Sequence, residues 1–386
     1  MTQKRVPLGN FVTEYSVRNK NNEDIPVYSV TNSQGFCREY FGKEVASKDK
    51  TTYKIVPYGY FAYNPSRINV GSVDWQRCEA QVIVSPLYNV FSVSDELDRQ
   101  FLYYFLKSNI GRQMIRAKAA GSVRDNLKLD MLKEMTIPDS SLDDQRHCVA
   151  TLDNLQYLIE LRKKQLNELD NLVKARFVEM FGIYPANQMG WETGKIRDTV
   201  ADVRYGSSRP AVDGGKYPYL RMNNITYGGE LDLSDVKRID VPENELDKCT
   251  VRRGDVLFNR TNSKELVGKT CVYDRDEMMV LAGFVIRVRV NDRVLPEFLS
   301  AFLNTDFSKK TLSEMCKAAI GQANINAQEM QNIGLYLPPL ELQRQFVQFK
   351  KQIDKSKVVE SIHRMNVLFN ITLNGGNRYD IRANEF

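Results

Sequence analysis

Amide, hydroxyl and guanidinium side chains follow several strand-like runs of this chain, at points where loops would present them together. Arginine pairs with guanine, and asparagine or glutamine pairs with adenine, through two hydrogen bonds in the major groove of DNA. Three short stretches in the later part of the chain combine these residue types. We therefore predict DNA contacts there from Tyr205, Ser207, Ser208, Arg209, Asn259, Arg260, Thr261, Asn262, Gln322, Asn324 and Asn326.

A matching set stands in the earlier part of the chain. Asn64, Ser66 and Arg67 follow a strand-like run, and Ser122, Arg124 and Asn126 belong to a loop. Each of these residues is also a common turn former or solvated side chain. Their recurrence at corresponding places in both parts is what favours DNA binding.

Catalytic motifs are incomplete in this sequence. Gly268-Lys269-Thr270 ends like a phosphate-binding loop, but Ser263 stands where that loop has a glycine, and a strand-like segment follows. The turn that begins at Asn64 lacks the second proline and the aromatic residue of a DNA amino-methyltransferase site. The two histidines have no neighbouring ligands at metal-binding spacing. We predict neither a catalytic residue nor a metal site.

Composition is that of a globular protein. Of 386 residues, 42% are hydrophobic and 26% charged, enough apolar material for the cores of two or three domains. The formal net charge of +6 is compatible with an anionic partner. The longest apolar run, residues 278–286, is about half of the ~20 residues that a membrane helix needs, so we expect a cytoplasmic protein without a membrane partner.

Two globular segments must position the polar residues. We call residues 1–140 the first segment and residues 183–338 the second segment. Strand-like runs rich in β-branched and aromatic residues are predicted at 26–32, 52–64, 80–93, 217–225, 255–260, 269–274 and 281–290. Helices are predicted at 95–107, 128–135, 296–303 and 327–332.

The two segments repeat one plan. The run at 59–67 aligns with 254–262 at an offset of 195, and 102–106 aligns with 299–303 at 197. Residues 126–127 align with 324–325, and 142–146 with 340–344, both at 198. Because the offset drifts by so little, the pattern indicates a duplicated unit with small loop insertions.

A long helix is predicted after each segment. Residues 141–182 contain glycine only at the last position and no proline, and residues 339–374 have a similar character before a C-terminal tail at 375–386. Apolar residues recur at alternating spacings of three and four: Leu152, Leu155, Ile159, Leu166, Leu169, Val173 and Met180 in the first, and Leu342, Phe346, Phe349, Ile353, Val358, Ile362, Met365 and Phe369 in the second. The predicted fold class is α+β, with two similar mixed α/β domains joined by two long antiparallel coiled-coil helices.

Three motifs stand out in the second segment and at the start of its helix: RGDVLF at 253–258 followed by Asn259 and Arg260, GQANIN at 321–326, and LPPLELQR at 337–344. With these motifs and its two related halves, the chain resembles the specificity subunit of type I restriction-modification systems. The first segment departs from these motifs, since it has YGYFAYN at 58–64 and lacks the double proline before its helix.

The resemblance implies a subunit that reads a bipartite, asymmetric double-stranded DNA target through two target recognition domains. It implies that the paired helices set the spacing between half-sites and dock two modification subunits. Arg162 and Arg176, which interrupt the apolar stripe of the first helix, are our candidate residues on these docking helices, where they either pair with carboxylates of a partner helix or extend to solvent. S-adenosylmethionine, ATP and magnesium would then belong to the modification subunits and to separate restriction or motor subunits, and this chain would be non-catalytic. Two alternatives remain open: a DNA methyltransferase with an unrecognised cofactor site, and a coiled-coil protein adaptor.

Overall fold

The structure of the protein is a computed structural model that describes residues 4–38, 49–119, 126–316 and 323–375, with side chains as far as 357 in the last range. Contacts between residues divide the chain into two compact units. One unit holds the chain up to Leu161 together with the chain from Arg364 onward, and the other is Arg162–His363. Each unit is described by itself.

The first segment combines short strands with helices near its end. Its strands are β1 (Arg5–Pro7), β2 (Val12–Glu14), β3 (Ser29–Thr31), β4 (Gly35–Cys37), β5 (Lys54–Pro57), β6 (Phe61–Tyr63), β7 (Val73–Trp75), β8 (Gln81–Val84), β9 (Asn89–Val93) and β10 (Thr136–Pro138). Its helices are α1 (Arg99–Lys107), α2 (Asn109–Ala119) and α3 (Leu129–Lys133). The central sheet has the order β2-β9-β6-β7, and β1 pairs with β10, β3 with β4, and β5 with β8. Phe61 and Phe91 of this sheet share one buried core with Leu102 and Leu106 of α1.

The second segment follows helix α4 (Leu142–Phe181). Its strands are β11 (Glu192–Lys195), β12 (Val200–Tyr205), β13 (Tyr217–Leu220), β14 (Lys237–Ile239), β15 (Thr250–Val251), β16 (Val256–Asn259), β17 (Thr261–Asn262), β18 (Thr270–Val272), β19 (Met279–Leu281), β20 (Val285–Val290), β21 (Ala323–Asn324) and β22 (Gly334–Leu337). The helices are α5 (Glu243–Cys249), α6 (Pro296–Leu303), α7 (Asp306–Met315), α8 (Ala327–Gln331) and the long α9 (Leu340–Gly375). The central sheet is β12-β20-β16-β18, a second sheet is β14-β13-β19-β15, and β11 pairs with β22 and β17 with β21.

The predicted repeat is confirmed by strand register. The central sheets correspond strand for strand, with β2, β9, β6 and β7 matching β12, β20, β16 and β18. Phe61 pairs with Phe91 in the first sheet, and Val256 pairs with Val288 in the second, at offsets of 195 and 197. Helices α1, α2 and α3 match α6, α7 and α8 in the same order. Both segments therefore position their loops on one common framework.

The two long helices are confirmed, and α9 ends at Gly375. Within the second unit they run antiparallel: Phe181 contacts Phe346 with ring centroids 5.7 Å apart, while Asp170 pairs with Lys357. A residue earlier in α4 therefore contacts a residue later in α9, as antiparallel helices require. On α4 the predicted apolar stripe is half-buried between exposed neighbours, as a coiled-coil seam requires. The side chains predicted to extend the α9 stripe, Val358, Ile362, Met365 and Phe369, lie outside the described residues.

A buried glutamine near the start of each long helix fixes the helix to its own segment. Gln343 is fully buried; its side-chain carbonyl accepts a hydrogen bond from the N–H of Leu295 (2.8 Å), and its amide donates to the carbonyls of Arg293 (3.2 Å) and Pro338 (2.8 Å). The equivalent residue 198 positions earlier, Gln145, bonds in the same way to Asp98 (2.8 Å), Glu96 (3.3 Å) and Ser140 (3.0 Å). Gln145 and Gln343 lie in the aligned stretches 142–146 and 340–344, so this sequence similarity marks the place where each long helix is bonded to its segment.

Several predicted elements are divided in the structure. The run at 52–64 contains β5 and β6, which are separated by a turn in which Gly59 adopts a φ of +83° that favours glycine. The runs at 80–93 and 281–290 likewise include turns, before β9 and β20. Helices α2, α5 and α7 were not predicted.

Candidate nucleic-acid interface

Strand β16 of the second segment ends in a tightly bonded turn. The backbone N–H of Asn259 donates to the Lys269 carbonyl (2.8 Å), and its own carbonyl accepts from the N–H of Gly268 (2.8 Å). The side-chain Oδ1 of Asn259 accepts from the backbone N–H of Thr261 (3.3 Å). Asn259 is 0% exposed and Thr261 is 7% exposed. In this structure, therefore, these two predicted residues support the turn and do not face solvent.

Arg260, the next residue, extends from that turn against an aromatic ring. Its guanidinium carbon lies 4.9 Å from the ring centroid of Tyr205, a cation–π contact. The Tyr205 hydroxyl accepts a hydrogen bond from the N–H of Ala327 at the start of α8 (2.9 Å). The Arg260 carbonyl accepts from the N–H of Ile325 (2.9 Å). Residues from three distant stretches of sequence thus meet around Arg260.

The charge of Arg260 is available to an anion. Among the residues that the structure describes, no ion pair joins its guanidinium to a carboxylate, and its Nε, which is buried, has no hydrogen-bond partner. The guanidinium is half-buried against the ring of Tyr205, and phosphate oxygens and a guanine edge are groups that a guanidinium can bind. We name Arg260 and the residues that meet around it, Tyr205, Ile325 and Ala327, the Arg260 cluster.

Asn324 and Asn326 flank the same cluster with different roles. Asn324 is exposed in β21, directly opposite Thr261 of β17. The side chain of Asn326 accepts hydrogen bonds from the N–H groups of Gln328 and Glu329 (both 2.9 Å), and so it caps helix α8. Asn262, in β17, is half-buried. Asn324 therefore presents its amide freely at the surface, whereas Asn326 uses its carbonyl oxygen within the chain.

The loop that follows Tyr205 contributes a second arginine, which is already paired. Arg209 makes two hydrogen bonds to Glu245, from Nε (3.1 Å) and from Nη2 (2.7 Å). The hydrogen bond from Arg209 lowers the pKa of the Glu245 carboxyl group. Ser208 is exposed, whereas Ser207 is 9% exposed and accepts from the N–H of Gly283 through its carbonyl (2.7 Å). To contact DNA, Arg209 must exchange its carboxylate partner for a phosphate.

Two lysines that were not predicted as site residues lie beside the same strand end. Lys269 is 7% exposed, and its ammonium donates to the Met222 carbonyl (2.8 Å). The ammonium of Lys309 donates to the Gly268 carbonyl (3.2 Å). Burial, with the charge of Lys269 adding to it, lowers the pKa of Lys309 to about 8. Lys309 was missed because it lies on α7, a helix that was not predicted.

The first segment builds the same strand end with different side chains. The N–H of Leu127 donates to the Pro65 carbonyl (3.1 Å), the bond that Ile325 makes to Arg260 in the second segment. Pro65 therefore occupies the position of Arg260. Asn64 accepts hydrogen bonds from the N–H (3.1 Å) and the hydroxyl (2.9 Å) of Ser66, forming a turn that leaves Ser66 and Arg67 exposed.

Of the remaining predicted residues in these loops, Asn126 is half-buried next to Leu127. Ser122, Arg124 and Gln322 lie outside the described residues. Within residues 4–38, 49–119, 126–316 and 323–357, no group of three or more histidine, cysteine or acidic side chains is placed to hold a metal ion. No helix in the described part of the chain is both long and apolar enough to cross a membrane.

Arg162 and Arg176 lie half-buried on the stripe of α4, as predicted. Arg162 donates to the side chain of Gln165 (2.7 Å), and Arg176 donates to Glu179 (2.8 Å), so both bonds stay on α4 itself. Across the helix pair, the guanidinium of Arg176 lies 5.8 Å from the ring centroid of Phe349. Among the described side chains, the Arg176 guanidinium therefore pairs with a carboxylate of α4 itself and contacts α9 through an aromatic ring.

The duplicated α+β segments, each followed by a long helix and each ending its central strand in a polar turn, define a tandem-repeat protein. The family model described as the type I restriction modification DNA specificity domain matches it twice, over residues 9–171 and 189–365. Because these matches cover most of the sequence, the chain belongs to this family.

Similar proteins are named as specificity subunits of type I restriction enzymes. The chain is 23% identical over 269 residues to the type I restriction enzyme EcoKI specificity subunit of Escherichia coli K12, covering 66% of this chain and 58% of that protein. It is 24% identical over 308 residues to the MjaVIII specificity subunit of Methanocaldococcus jannaschii, covering 72% and 70%. The chain thus spans less than two thirds of the EcoKI subunit.

A chain from a solved type I R-M system, studied for complex assembly and conformational transition, has the same fold. It superposes with a TM-score of 0.57 at 18% identity and covers 95% of both chains. At that identity the likeness concerns the fold alone.

Proposed function

We propose that this chain is the DNA-recognition subunit of a type I restriction-modification system. It reads a bipartite, asymmetric double-stranded target, one half-site with each segment, and it performs no reaction itself. The observation that carries the proposal is the Arg260 cluster, an arginine without a carboxylate partner at a strand end that recurs, with other side chains, in the first segment. Membership of the specificity-domain family supports the same conclusion.

The proposed interface of the second segment consists of the side chains that this structure leaves accessible around the strand end. They are Tyr205, Ser208, Arg209, Arg260, Asn262 and Asn324, together with Gln322 from the sequence. In the first segment the proposed residues are Asn64, Ser66 and Arg67, with Ser122, Arg124 and Asn126 from the following loop. Since Pro65 replaces Arg260, the two half-sites should differ in sequence.

We further propose that the partners supply the chemistry. Two modification subunits would dock on the α4–α9 pair and carry S-adenosylmethionine, and restriction or motor subunits would carry ATP and magnesium. In this arrangement residues 1–140 and 183–338 act as recognition domains, and residues 141–182 and 339–374 set the spacing between half-sites. The ~60 Å length of a forty-residue helix is sufficient for half-sites one helical turn, ~34–36 Å, apart.

The test compares two arginines at opposite ends of β16. The purified chain is combined with its modification subunits, and affinity for a duplex bearing the methylated target of the source strain is measured by fluorescence anisotropy over a range of salt. Arg260→Ala should weaken site binding by about 10-fold, because one base-edge or phosphate contact is lost. Arg253→Ala removes the same charge near the start of the strand, where Arg253 pairs with Asp276 (2.7 Å), and should change affinity less than about twofold.

Equal effects of the two substitutions would contradict the assignment of the interface. Calorimetry of the chain without partners provides a separate check on the non-catalytic role. Binding of S-adenosylmethionine by the chain alone, or methyl transfer without modification subunits, would overturn that role and favour a methyltransferase.

A further inference from the structure

Phe284 is an exposed aromatic residue whose backbone is hydrogen-bonded to Arg260 of the Arg260 cluster. It lies in the turn between β19 and β20 and is 54% exposed. Its carbonyl accepts a hydrogen bond from the N–H of Arg260 (3.0 Å). The preceding Gly283 donates to the Ser207 carbonyl (2.7 Å), and Val285 donates to the Ala282 carbonyl (2.9 Å). The turn is thus bonded at three points while the ring points away from the core.

The first segment carries an exposed apolar residue at the same position. The registers of β6 with β9 and of β16 with β20 align Leu87 with Phe284, 197 residues apart. The turn bond recurs at that offset, because Tyr88 donates to the Ser85 carbonyl (3.0 Å) as Val285 does to Ala282. Leu87 is 78% exposed. A single exposed apolar residue is common at protein surfaces and needs no explanation. Two exposed apolar residues at the same register position, each beside a proposed DNA interface, do call for one.

We propose that Phe284 and Leu87 are base-contacting residues, each pressing an apolar side chain against the bases of the half-site that its segment reads. This inference rests on the proposed function and adds a specificity-determining residue to each segment. The neighbouring Arg260 supplies positive charge for the phosphate backbone, so the ring is carried to the duplex with a cation beside it. Apolar side chains recognise thymine methyl groups, and Phe and Leu are among the wedges that proteins insert between base steps.

The fixed backbone gives the contact its precision. Because the turn is held by Ser207, Arg260 and its own internal bond, little conformational freedom remains to be lost when the side chain meets DNA. The proposal is specific to bases, since an apolar group gains nothing from a phosphate. Removing the side chain should therefore affect site binding and leave sequence-independent binding unchanged.

The experiment uses the full chain in complex with its modification subunits. Affinities are measured for the target duplex, for a non-specific duplex of equal length, and for two duplexes in which one half-site is scrambled. Phe284→Ala should weaken target binding by about 10-fold, as the loss of one base–aromatic contact does. Non-specific affinity should stay within about twofold, because that binding depends on phosphate contacts.

The scrambled duplexes assign each residue to its half-site. The effect of Phe284→Ala should disappear when one half-site is scrambled and persist when the other is, and Leu87→Ala should show the reverse pattern. Phe284→Leu keeps an apolar side chain, the one that the first segment has, and should retain affinity within about threefold. Met278→Ala is the matched control: Met278 is 47% exposed in the same segment, before β19, and its removal should have no effect.

The outcomes separate this inference from the proposed function. If Arg260→Ala weakens target binding while Phe284→Ala does not, the base contact is refuted and the recognition role stands. An equal loss on target and non-specific duplexes would also refute it, since a base contact cannot act on both. If the unaltered complex shows no preference for the target, both proposals fail together.

Discussion

The two segments share a framework and differ where the framework ends. Their central sheets have the same strand order, and Gln145 and Gln343 make the same three hydrogen bonds at the start of α4 and α9. At the end of the third strand of the sheet, however, the second segment has Arg260 against Tyr205, and the first has Pro65 in a turn closed by Asn64. The conserved geometry thus lies in the buried bonds, and the variable chemistry lies on the exposed turn.

Under the proposed function, this difference would let one duplicated unit recognise two different half-sites. A buried glutamine with three partners tolerates little change, because each unpaired buried group costs about 1–3 kcal/mol. A residue on an exposed turn can change its charge or size without disturbing the core. The buried junction should therefore tolerate fewer substitutions than the exposed turn.

The largest predicted effect concerns the shared framework. Gln343→Ala should lower the free energy of unfolding of its unit by about 3 kcal/mol, because the N–H of Leu295 and the carbonyls of Arg293 and Pro338 lose their partner. Gln145→Ala should destabilise the other unit by a similar amount. Urea unfolding followed by hydrogen exchange reports each unit separately.

The control for these substitutions is Gln352→Ala, an exposed glutamine on α9. It should change stability by less than about 0.5 kcal/mol. If Gln145→Ala proved neutral while Gln343→Ala did not, the two junctions would not be equivalent and the comparison would fail at its strongest point.

An intermediate effect is expected where the segments are tied to their helices by different bonds. In the second unit the Lys357 ammonium bridges Asp170 of α4 and Glu230 of the second segment, 2.8 Å from the latter. In the first unit the Tyr104 hydroxyl of α1 bonds to Asp153 of α4. Lys357→Met should cost about 1 kcal/mol in urea unfolding, more than Tyr104→Phe, because it removes a charged donor shared by two carboxylates.

The bridge of Lys357 also predicts a dependence on pH. Burial opposes the charge of Lys357, but its hydrogen bonds to Asp170 and Glu230 outweigh burial and raise its pKa from 10.5 to about 12. Because the folded pKa lies above the unfolded value, the stabilisation is complete below pH 10.5 and is lost as the pH rises through about 12. The difference in stability between the unaltered protein and Lys357→Met should shrink over that range, and a constant difference would argue against the bridge.

The smallest predicted effect concerns the Arg260 cluster itself. Tyr205→Phe removes the acceptor for the N–H of Ala327 but keeps the ring that Arg260 stacks on. Because Tyr205 is 44% exposed and water can replace the lost acceptor, the cost should be about 0.5 kcal/mol. Thermal unfolding measures this cost, and Tyr227→Phe, at another exposed tyrosine, is the control. DNA affinity should stay within about twofold, whereas a large loss would mean that the hydroxyl itself contacts DNA.

Much of the fold could be predicted from the sequence. The bounds of α4 and α9, the register of the repeat, and helices α6 and α8 agree with the structure to within about a residue. Strand-like runs were predicted at the right places but were too long. Turns at Gly59 and at Phe284 divide two of these runs. Because apolar residues stand on both sides of each turn, the hydrophobic pattern of the sequence does not reveal where the strand is interrupted.

The candidate site was predicted in outline only. In the second segment Arg260 is half-buried and Asn324 is exposed, whereas Ser207, Asn259 and Thr261 are buried and Asn326 caps a helix. Phe284, Lys269 and Lys309 were not predicted as DNA-contacting residues, although each contacts or adjoins the same turn. Residue type indicates which groups a side chain can bind. It does not indicate whether that side chain already makes hydrogen bonds within the folded chain, as those of Asn259 and Asn326 do.

The sequence alone determined the duplicated α+β plan and the two long helices. Helical hydrogen bonds join residues only four apart, so a helix can be recognised from a local sequence pattern. A repeat is a similarity between two stretches of sequence, so it can be found by comparing the sequence with itself. Only the tertiary structure decided which polar and apolar side chains face outward at the strand ends. The exposure of Arg260 and Phe284 depends on Tyr205, Ser207 and Ile325, which the fold brings from distant parts of the chain.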